Sequence, residues 1–211
     1  MGLQTFALSL DKIWTVKAIT GCLVILLGMI GTWGLWRQRN NIVRNKSGHA
    51  VSRIAFLYMT FHFSVMTVYG FSIPDAPLVI NGLLRFLFHL PILAGLQKYK
   101  GFTRNEKRLA LVLAAMLVLV IRVSFKQEFF LIENFGAMFI AVAQPLEIWR
   151  EKNSGVVEIR LVLIYLCTAF AWVFYGLLIN DWAVWLTSAG FFAVWVVTAG
   201  LWRKYRQKKR A

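Results

Sequence analysis

The chain has 211 residues, of which 59% are hydrophobic and only 16% are charged, and its mean hydropathy is +0.62. A soluble domain of this length could not bury so much apolar surface, so the composition indicates a membrane protein. The formal net charge of +15 does not indicate nucleic-acid binding, because the basic residues lie in short loops between apolar segments.

Seven segments are long and apolar enough to be membrane spans, which require about 20 residues each. The links after the second and sixth segments are very short, so the spans that they join are expected to form tight antiparallel hairpins. In chain order the predicted spans are residues 16–36, 51–73, 76–97, 108–125, 129–149, 157–180 and 182–203. The fold class is therefore an all-α membrane protein.

The distribution of Lys and Arg predicts the orientation of the spans. Nineteen of these residues lie in the loops after spans 1, 3 and 5 and in the C-terminal tail, against three on the other side, which are Lys12, Lys17 and Lys126. Because cytosolic loops carry the excess of positive charge, the N-terminus is expected outside and the C-terminus in the cytosol.

An internal duplication relates the two ends of the chain. At a shift of 106 residues, Gln38, Tyr69, Gly70 and Asp75 fall on Gln144, Tyr175, Gly176 and Asp181, together with several apolar matches. Each half contains three spans, and the odd span between them gives both halves the same orientation. Parallel repeats of this kind are typical of carriers, whose substrate lies between the halves near the middle of the membrane.

The chain resembles the PQ-loop superfamily, and within it the SWEET (MtN3/saliva) sugar transporters. Gln38 and Gln144 each precede a lysine by eight residues, as in the family signature, and Trp172 lies three residues before Tyr175. Asn81 matches the asparagine of the family's third helix. The chain departs from the pattern at Arg37 and Ala143, where the family has proline, at Met66, where it has a second tryptophan, and at Thr187 or Ser188, where it has a second asparagine.

The resemblance implies a 3+1+3 arrangement of seven transmembrane helices as two parallel repeats. Its expected units are residues 1–97 as the first three-helix repeat, 98–127 as the linker loop and helix 4, 128–203 as the second repeat, and 204–211 as a basic cytosolic tail.

Gln144 and Pro145 are candidates for a hinge at the cytosolic end of span 5. Proline inside a helix removes a backbone hydrogen bond and can create a kink, and the resemblance gives this position a gating role. The alternative is that the proline simply terminates the helix. Gln38 is the equivalent position in the first half, and there the end of an ordinary helix is the favoured interpretation.

Asn81, Arg85 and His89 share one face of span 3, because they are spaced four residues apart. Arg85 lies close to the middle of the membrane, where a charged residue costs about 2.5–3.5 kcal/mol. Three interpretations remain: Arg85 pairs with an acid such as Glu133, it binds an anionic group, or it snorkels or lines a wet cavity. The resemblance makes Asn81 the foremost solute contact.

Trp172 offers a flat apolar face on which a sugar ring could stack, with packing in the protein interior as the alternative. Met66 would form the opposite wall of the site. His62 lies one turn before Met66 and could couple protons to transport, although a hydrogen-bonded packing role is the more common one. The predicted substrate-binding set is Asn81, Trp172, Met66, Thr168, Thr187, Ser188, His62 and Arg85.

Asp75 and Asp181 occupy equivalent short turns, and both are expected to cap the helix that follows. No nucleophile–base pair, phosphate-binding loop or cluster of metal ligands occurs in the sequence. We therefore expect no enzymatic activity, no metal and no cofactor.

The sequence thus predicts a multi-pass transporter for a small polar solute, with sugar favoured, that works by alternating-access facilitated diffusion. The alternatives are a proton-coupled carrier of amino acids or anionic solutes, and a non-transporting receptor or lipid-handling module on the same fold. The expected partners are the solute and membrane lipids, without nucleic acid, and a homo-oligomer is possible from the sequence. A plasma or inner membrane is favoured, with an internal membrane as the alternative.

Overall fold

The computed structural model describes residues 2–48, 52–152 and 159–205, and over these residues it contains α-helices and no strand. The helices are α1 Gly2–Arg44, α2 Arg53–Ser72, α3 Ala76–Tyr99, α4 Arg104–Arg122, α5 Lys126–Glu151, α6 Ile159–Leu178 and α7 Trp182–Tyr205. The basic residues beyond Tyr205, predicted as a cytosolic tail, lie outside the described part of the chain.

Four helical segments within the described residues have the length and hydropathy of membrane spans. They are Thr15–Arg44, Arg53–Ser72, Ala76–Tyr99 and Trp182–Tyr205, and α6 contains a shorter apolar segment, Val162–Leu178. Helices α4 and α5 are less apolar, because charged residues such as Arg104, Lys107 and Glu133 interrupt them. At 1.5 Å per residue, these two helices are nevertheless about 28 and 39 Å long.

Helix α1 is longer than the predicted span 16–36 at both ends. No proline interrupts this part of the chain, so the helix continues through the polar residues that follow the apolar segment. The chain then turns at Lys46, whose φ of 46° lies in the left-handed region. Lys152 after α5 repeats this conformation with a φ of 51°, so the two lysines of the duplicated motif share a turn geometry.

The starts of three helices are determined by local side-chain caps. The Ser52 hydroxyl accepts a hydrogen bond from the Ala55 backbone, and Asp75 caps α3 in the same way. Thr103 and Glu106 form a complete capping box at the start of α4. The predicted capping role of Asp75 is confirmed.

The helices of the two halves pack in the same pattern. In the first half α3 contacts both α1 and α2, and in the second half α7 contacts both α5 and α6. Between the halves α1 contacts α6 and α2 contacts α5, while α4 packs against α2. These contacts are what a two-fold relation between the halves requires.

Two equivalent glycines allow the hairpin helices to approach closely. A Cβ atom on Gly70 would lie 2.8 Å from the backbone nitrogen of Val79, and one on Gly176 would lie 2.6 Å from that of Trp185. Both distances are shorter than van der Waals contact, so only glycine fits. The close packing of the helices explains why the repeated Tyr-Gly pair has a glycine in both halves.

Large apolar side chains cover the outer surface of the bundle. Phe139 is 76% exposed and Leu111 is 71% exposed, as expected of residues that face lipid rather than water. Cys22 and Cys167 are also on this surface.

Candidate functional site

A cavity of about 330 Å³ lies within the bundle, lined by residues from both halves. Its volume is within the range of small-molecule sites. The structure brings every member of the predicted substrate-binding set to its wall: Asn81, Trp172, Met66, Thr168, Thr187, Ser188, His62 and Arg85.

The lining follows the duplication. Most lining residues have a counterpart 106 positions away that also lines the cavity, so the two halves contribute equivalent walls. The pairs that contain a polar or aromatic residue are Met66 with Trp172, His62 with Thr168, Asn81 with Thr187, Arg85 with Phe191, His89 with Trp195, Phe63 with Ala169, and Met59 with Tyr165.

Asn81 is almost fully buried, at 2% exposure. Its Nδ2 donates to the Pro77 carbonyl oxygen at 3.1 Å, whereas its Oδ1 has no hydrogen-bond partner among the described residues. A Cβ atom on Gly28 of α1 would lie 1.7 Å from that oxygen, so the glycine provides the space that the amide occupies.

A second amide, on Asn134 of α5, also lines the cavity. Its Nδ2 donates to the Phe130 carbonyl oxygen at 2.7 Å. Asn134 is the counterpart of Gly28, and Thr187 is the counterpart of Asn81. The second half therefore carries its amide on its first helix, whereas the first half carries it on its third helix.

The threonines of the cavity wall donate their hydroxyl protons to backbone carbonyls. Thr168 donates to Ile164 and Thr187 donates to Ala183, each at 2.7 Å. Their oxygen atoms can still accept a hydrogen bond, so toward a solute these two residues act as acceptors.

Arg85 forms no ion pair with any described side chain. Its guanidinium carbon lies 5.2 Å from the ring centre of Phe63 and 6.0 Å from that of Tyr165. A Cβ atom on Gly31 would lie 3.0 Å from Nη2, so the group also rests against α1. Of the three interpretations of Arg85, pairing with Glu133 is wrong.

Glu133 instead contacts His62, with Nδ1 and Oε2 2.9 Å apart. Both residues are buried, and they join α2 to α5 across the two halves. The Tyr58 hydroxyl donates to the backbone oxygen of Glu133 at 2.9 Å, and Gly136 leaves the space for that hydroxyl. The second carboxylate oxygen, Oε1, has no partner among the described residues.

His89 has a packing role within span 3. Its Nδ1 donates to the Arg85 carbonyl oxygen at 2.7 Å, since a carbonyl can only accept. Its ring lies between Phe56 and Phe63, at centroid distances of 5.5 and 5.2 Å.

Two crossed hydrogen bonds join the halves at the end of the bundle formed by the short α2–α3 and α6–α7 turns. The Tyr175 hydroxyl donates to Oδ2 of Asp75 at 2.6 Å, and the Tyr69 hydroxyl donates to Oδ2 of Asp181. Oδ1 of Asp181 accepts from the Val184 backbone nitrogen at 3.1 Å, which confirms its predicted capping role. We call these four side chains the Tyr–Asp bridge.

The hinge candidates lie at the opposite end. Pro145 is inside α5, well before its last residue Glu151, so it does not terminate the helix. Gln38 is partly buried near the end of α1. The side chain of Gln144 lies outside the described part of the structure.

The sequence interpretation missed Asn134 and Tyr165 as cavity residues and missed the tyrosines of the Tyr–Asp bridge as partners of the aspartates. A signal for the bridge was present, because Tyr69, Asp75 and their counterparts are among the polar matches of the duplication. Asn134 and Tyr165 give no such signal, since neither is matched by an identical residue.

The chain is similar to the solved structure of a eukaryotic SWEET transporter, determined at 3.7 Å resolution. The TM-score is 0.74 at 13% sequence identity, and the alignment covers 90% of this chain and 98% of that one. No protein-family profile and no curated protein matches the sequence. The chain therefore has the SWEET fold, and with its apolar helices it is an integral membrane protein.

Proposed function

We propose that this protein is a membrane carrier for a small polar solute, with sugar as the first candidate, and that it works by alternating access. The observation that carries the proposal is the cavity lined by residues from both halves. We take residues 1–97 and 128–203 as the two three-helix units and residues 98–127 as the linker, as expected from the sequence. A site at the interface of repeats is the arrangement that lets one binding site face each side of a membrane in turn.

The Tyr–Asp bridge would hold the outer side of the carrier closed. In the predicted orientation the short turns face the outside, and the Lys- and Arg-rich loops face the cytosol. Release of the two crossed hydrogen bonds would let the halves separate at that end. Because each hydrogen bond joins one half to the other, both bonds must break when the halves separate at this end.

The solute would occupy the cavity beside Trp172. This ring lies edge-on to Tyr175 of the Tyr–Asp bridge, with centroids 5.5 Å apart and planes at 86°. A solute stacked on Trp172 therefore contacts a residue that touches the bridge. Such a solute changes the populations of the two states only by its different affinity for each.

Pro145 would provide the bend at the cytosolic end. A proline within α5 leaves one backbone carbonyl without its helical partner, so the helix can bend there at low cost. The equivalent stretch of α1 has no proline, so the second half would supply most of the motion.

A second candidate is a proton-coupled carrier, and the buried contact between His62 and Glu133 favours it. The pair joins α2 to α5 beside the cavity and consists of an imidazole and a carboxyl group. Coupling would make uptake dependent on pH and able to drive accumulation, whereas a facilitator only equilibrates its solute.

The test is the uptake of labelled glucose and sucrose into proteoliposomes, at pH values one unit below and one unit above the ordinary histidine pKa of about 6.5. Saturable uptake that is independent of pH and is abolished by Trp172→Ala and by Asn81→Ala supports the sugar facilitator. Uptake that follows an imposed proton gradient supports the second candidate. If the folded protein binds a solute but shows no flux, the proposal that it is a carrier is overturned.

A further inference from the structure

We propose that the cavity selects solutes that carry a carboxylate, and that Arg85 is the residue that binds this group. The proposal rests on the carrier function proposed above and names its substrate class. The class comprises small hydroxy- or amino-carboxylates, including the acid forms of sugars.

Arg85 has no counter-ion among the side chains that the structure describes. Glu133 contacts His62 instead of Arg85. Glu133 is the acid on α5 that is nearest in sequence to the cavity residue Asn134. The other acids whose side chains are described are used elsewhere or lie at the ends of helices: Asp75 and Asp181 in the Tyr–Asp bridge, Glu106 with Arg53, and Glu128 in the first turn of α5.

The surroundings of Arg85 stabilise its position without neutralising its charge. Phe63 and Tyr165 present aromatic rings to the guanidinium, and such contacts favour a cation. Gly31 leaves room for Nη2 beside α1. The titratable neighbours on the same helix and on α2 are His89 and His62, and neither supplies a negative charge.

An arginine this far inside a membrane protein is costly, and the cost falls when an anion binds to it. The guanidinium presents paired N–H groups that match a carboxylate in a bidentate arrangement. A solute with one carboxylate would therefore pair with the buried guanidinium, which a neutral sugar cannot do.

The remaining polar groups indicate what else the solute carries. Asn81, one turn before Arg85, lines the cavity, and the oxygens of Thr168 and Thr187 act as acceptors. These acceptors favour hydroxyl or amino groups next to the carboxylate. Trp172 then provides the apolar face for the carbon skeleton.

The experiment compares matched neutral and anionic solutes on the purified full chain in nanodiscs. The pairs are glucose with glucuronate and lactamide with lactate, which differ only at the carboxylate position. We expect at least one carboxylate to bind about tenfold tighter than its neutral match, as for other hydrogen bonds to charged groups. Arg85→Gln should abolish that difference, and Arg85→Lys should retain part of it.

Arg122→Gln is the matched control, because it removes one positive charge from an exposed position on α4. It should leave the preference unchanged. Thermal unfolding of each variant distinguishes loss of binding from loss of the fold. If Arg85→Gln does not fold, Arg85→Lys tests the role of the guanidinium, because it keeps the positive charge.

The proposal is overturned if neither carboxylate binds more tightly than its neutral match, or if folded Arg85→Gln retains the preference. Flux of glucose together with no preference for either carboxylate would overturn this assignment while leaving the carrier intact. Binding of a carboxylate without any flux would support the assignment and overturn the carrier.

Discussion

The Tyr175 hydroxyl donates a 2.6 Å hydrogen bond to Asp75, a residue of the other half of the chain. The same carboxylate accepts from the Leu78 backbone nitrogen through its other oxygen, at 3.0 Å. One side chain thus both starts α3 and joins it to α6. Because Tyr69 and Asp181 repeat the arrangement, separation of the halves must release two hydrogen bonds to buried carboxylates.

Tyr175→Phe should open the Tyr–Asp end of the bundle. Hydrogen bonds to charged groups are worth about 1.5–3 kcal/mol, so loss of one should raise the population of the open state about tenfold or more. The measurement is the rate at which an impermeant thiol reagent labels Ser188→Cys in the cavity. Cys22 and Cys167 are exposed and must first be replaced by alanine.

The matched control for this experiment is Tyr99→Phe, at the far end of α3, which should not change the labelling rate. Equal rates for wild type, Tyr175→Phe and Tyr69→Phe would show that the bridge does not keep the halves together.

Gly28→Ala should lower the thermal stability of the folded chain, because the new methyl group would lie 1.7 Å from Oδ1 of Asn81. Overpacking of this kind costs about 1–3 kcal/mol. In the background of Asn81→Ala the same substitution should cost far less, since the clashing atom is gone. A thermal-unfolding cycle of the four proteins in nanodiscs measures the coupling.

Gly200→Ala controls for the helix propensity of alanine, because no atom lies within 4 Å of the added Cβ. It should be neutral or slightly stabilising. If Gly28→Ala costs the same with and without the Asn81 side chain, the two residues are not in contact.

His62→Ala should destabilise the chain more than the double substitution His62→Ala with Glu133→Gln. The single change leaves a buried carboxylate without its partner, at a cost of about 3–5 kcal/mol. The double change removes the charge as well, so part of the stability should return. Chemical-denaturation midpoints of His62→Ala, Glu133→Gln and the double variant measure the coupling. A cost of the double variant below the sum of the single costs would reveal a stabilising contact, and additive costs would exclude one.

Glu106 should make the stability of the α2–α4 contact depend on pH. The Thr103 backbone N–H donates to its carboxylate at 2.8 Å and, with the Arg53 guanidinium, lowers its pKa from the ordinary 4.5. A lowered pKa in the folded chain contributes stability that is present above about pH 4.5 and is lost as the pH falls through the folded value.

The measurement for Glu106 is the melting temperature of wild type and of Glu106→Gln at neutral pH and in acid. Wild type should be the more stable at neutral pH, and the difference should shrink below pH 4.5, the ordinary pKa of this carboxyl. A difference that is constant with pH would show that the carboxylate charge does not contribute.

The helices and their caps were predictable from local sequence. Apolar length gave the seven segments, and Asp75 precedes its helix as capping residues do. The exception is α1, which extends beyond its apolar part because helix formation does not require apolar residues. Lengths of apolar runs therefore predict the positions of helices better than they predict helix ends.

The side-chain partners were not predictable, because they depend on which helices pack together, and α5 packs against α2 and α7. From the sequence, Arg85 and Glu133 were a reasonable ion pair, but α2 places His62 beside Glu133. In the same way, Asn134 compensates for the missing amide at Thr187 from a different helix. Only the tertiary arrangement shows that both positions reach one cavity.

The two halves carry their cavity amide on different helices, so two copies of one half would not form the same cavity. A symmetric pair of α1–α3 units would face two Arg85 guanidiniums toward one cavity and would lack Glu133. A pair of α5–α7 units would have phenylalanine in place of each Arg85, and so no arginine in the cavity. The two halves are therefore not interchangeable at the cavity wall.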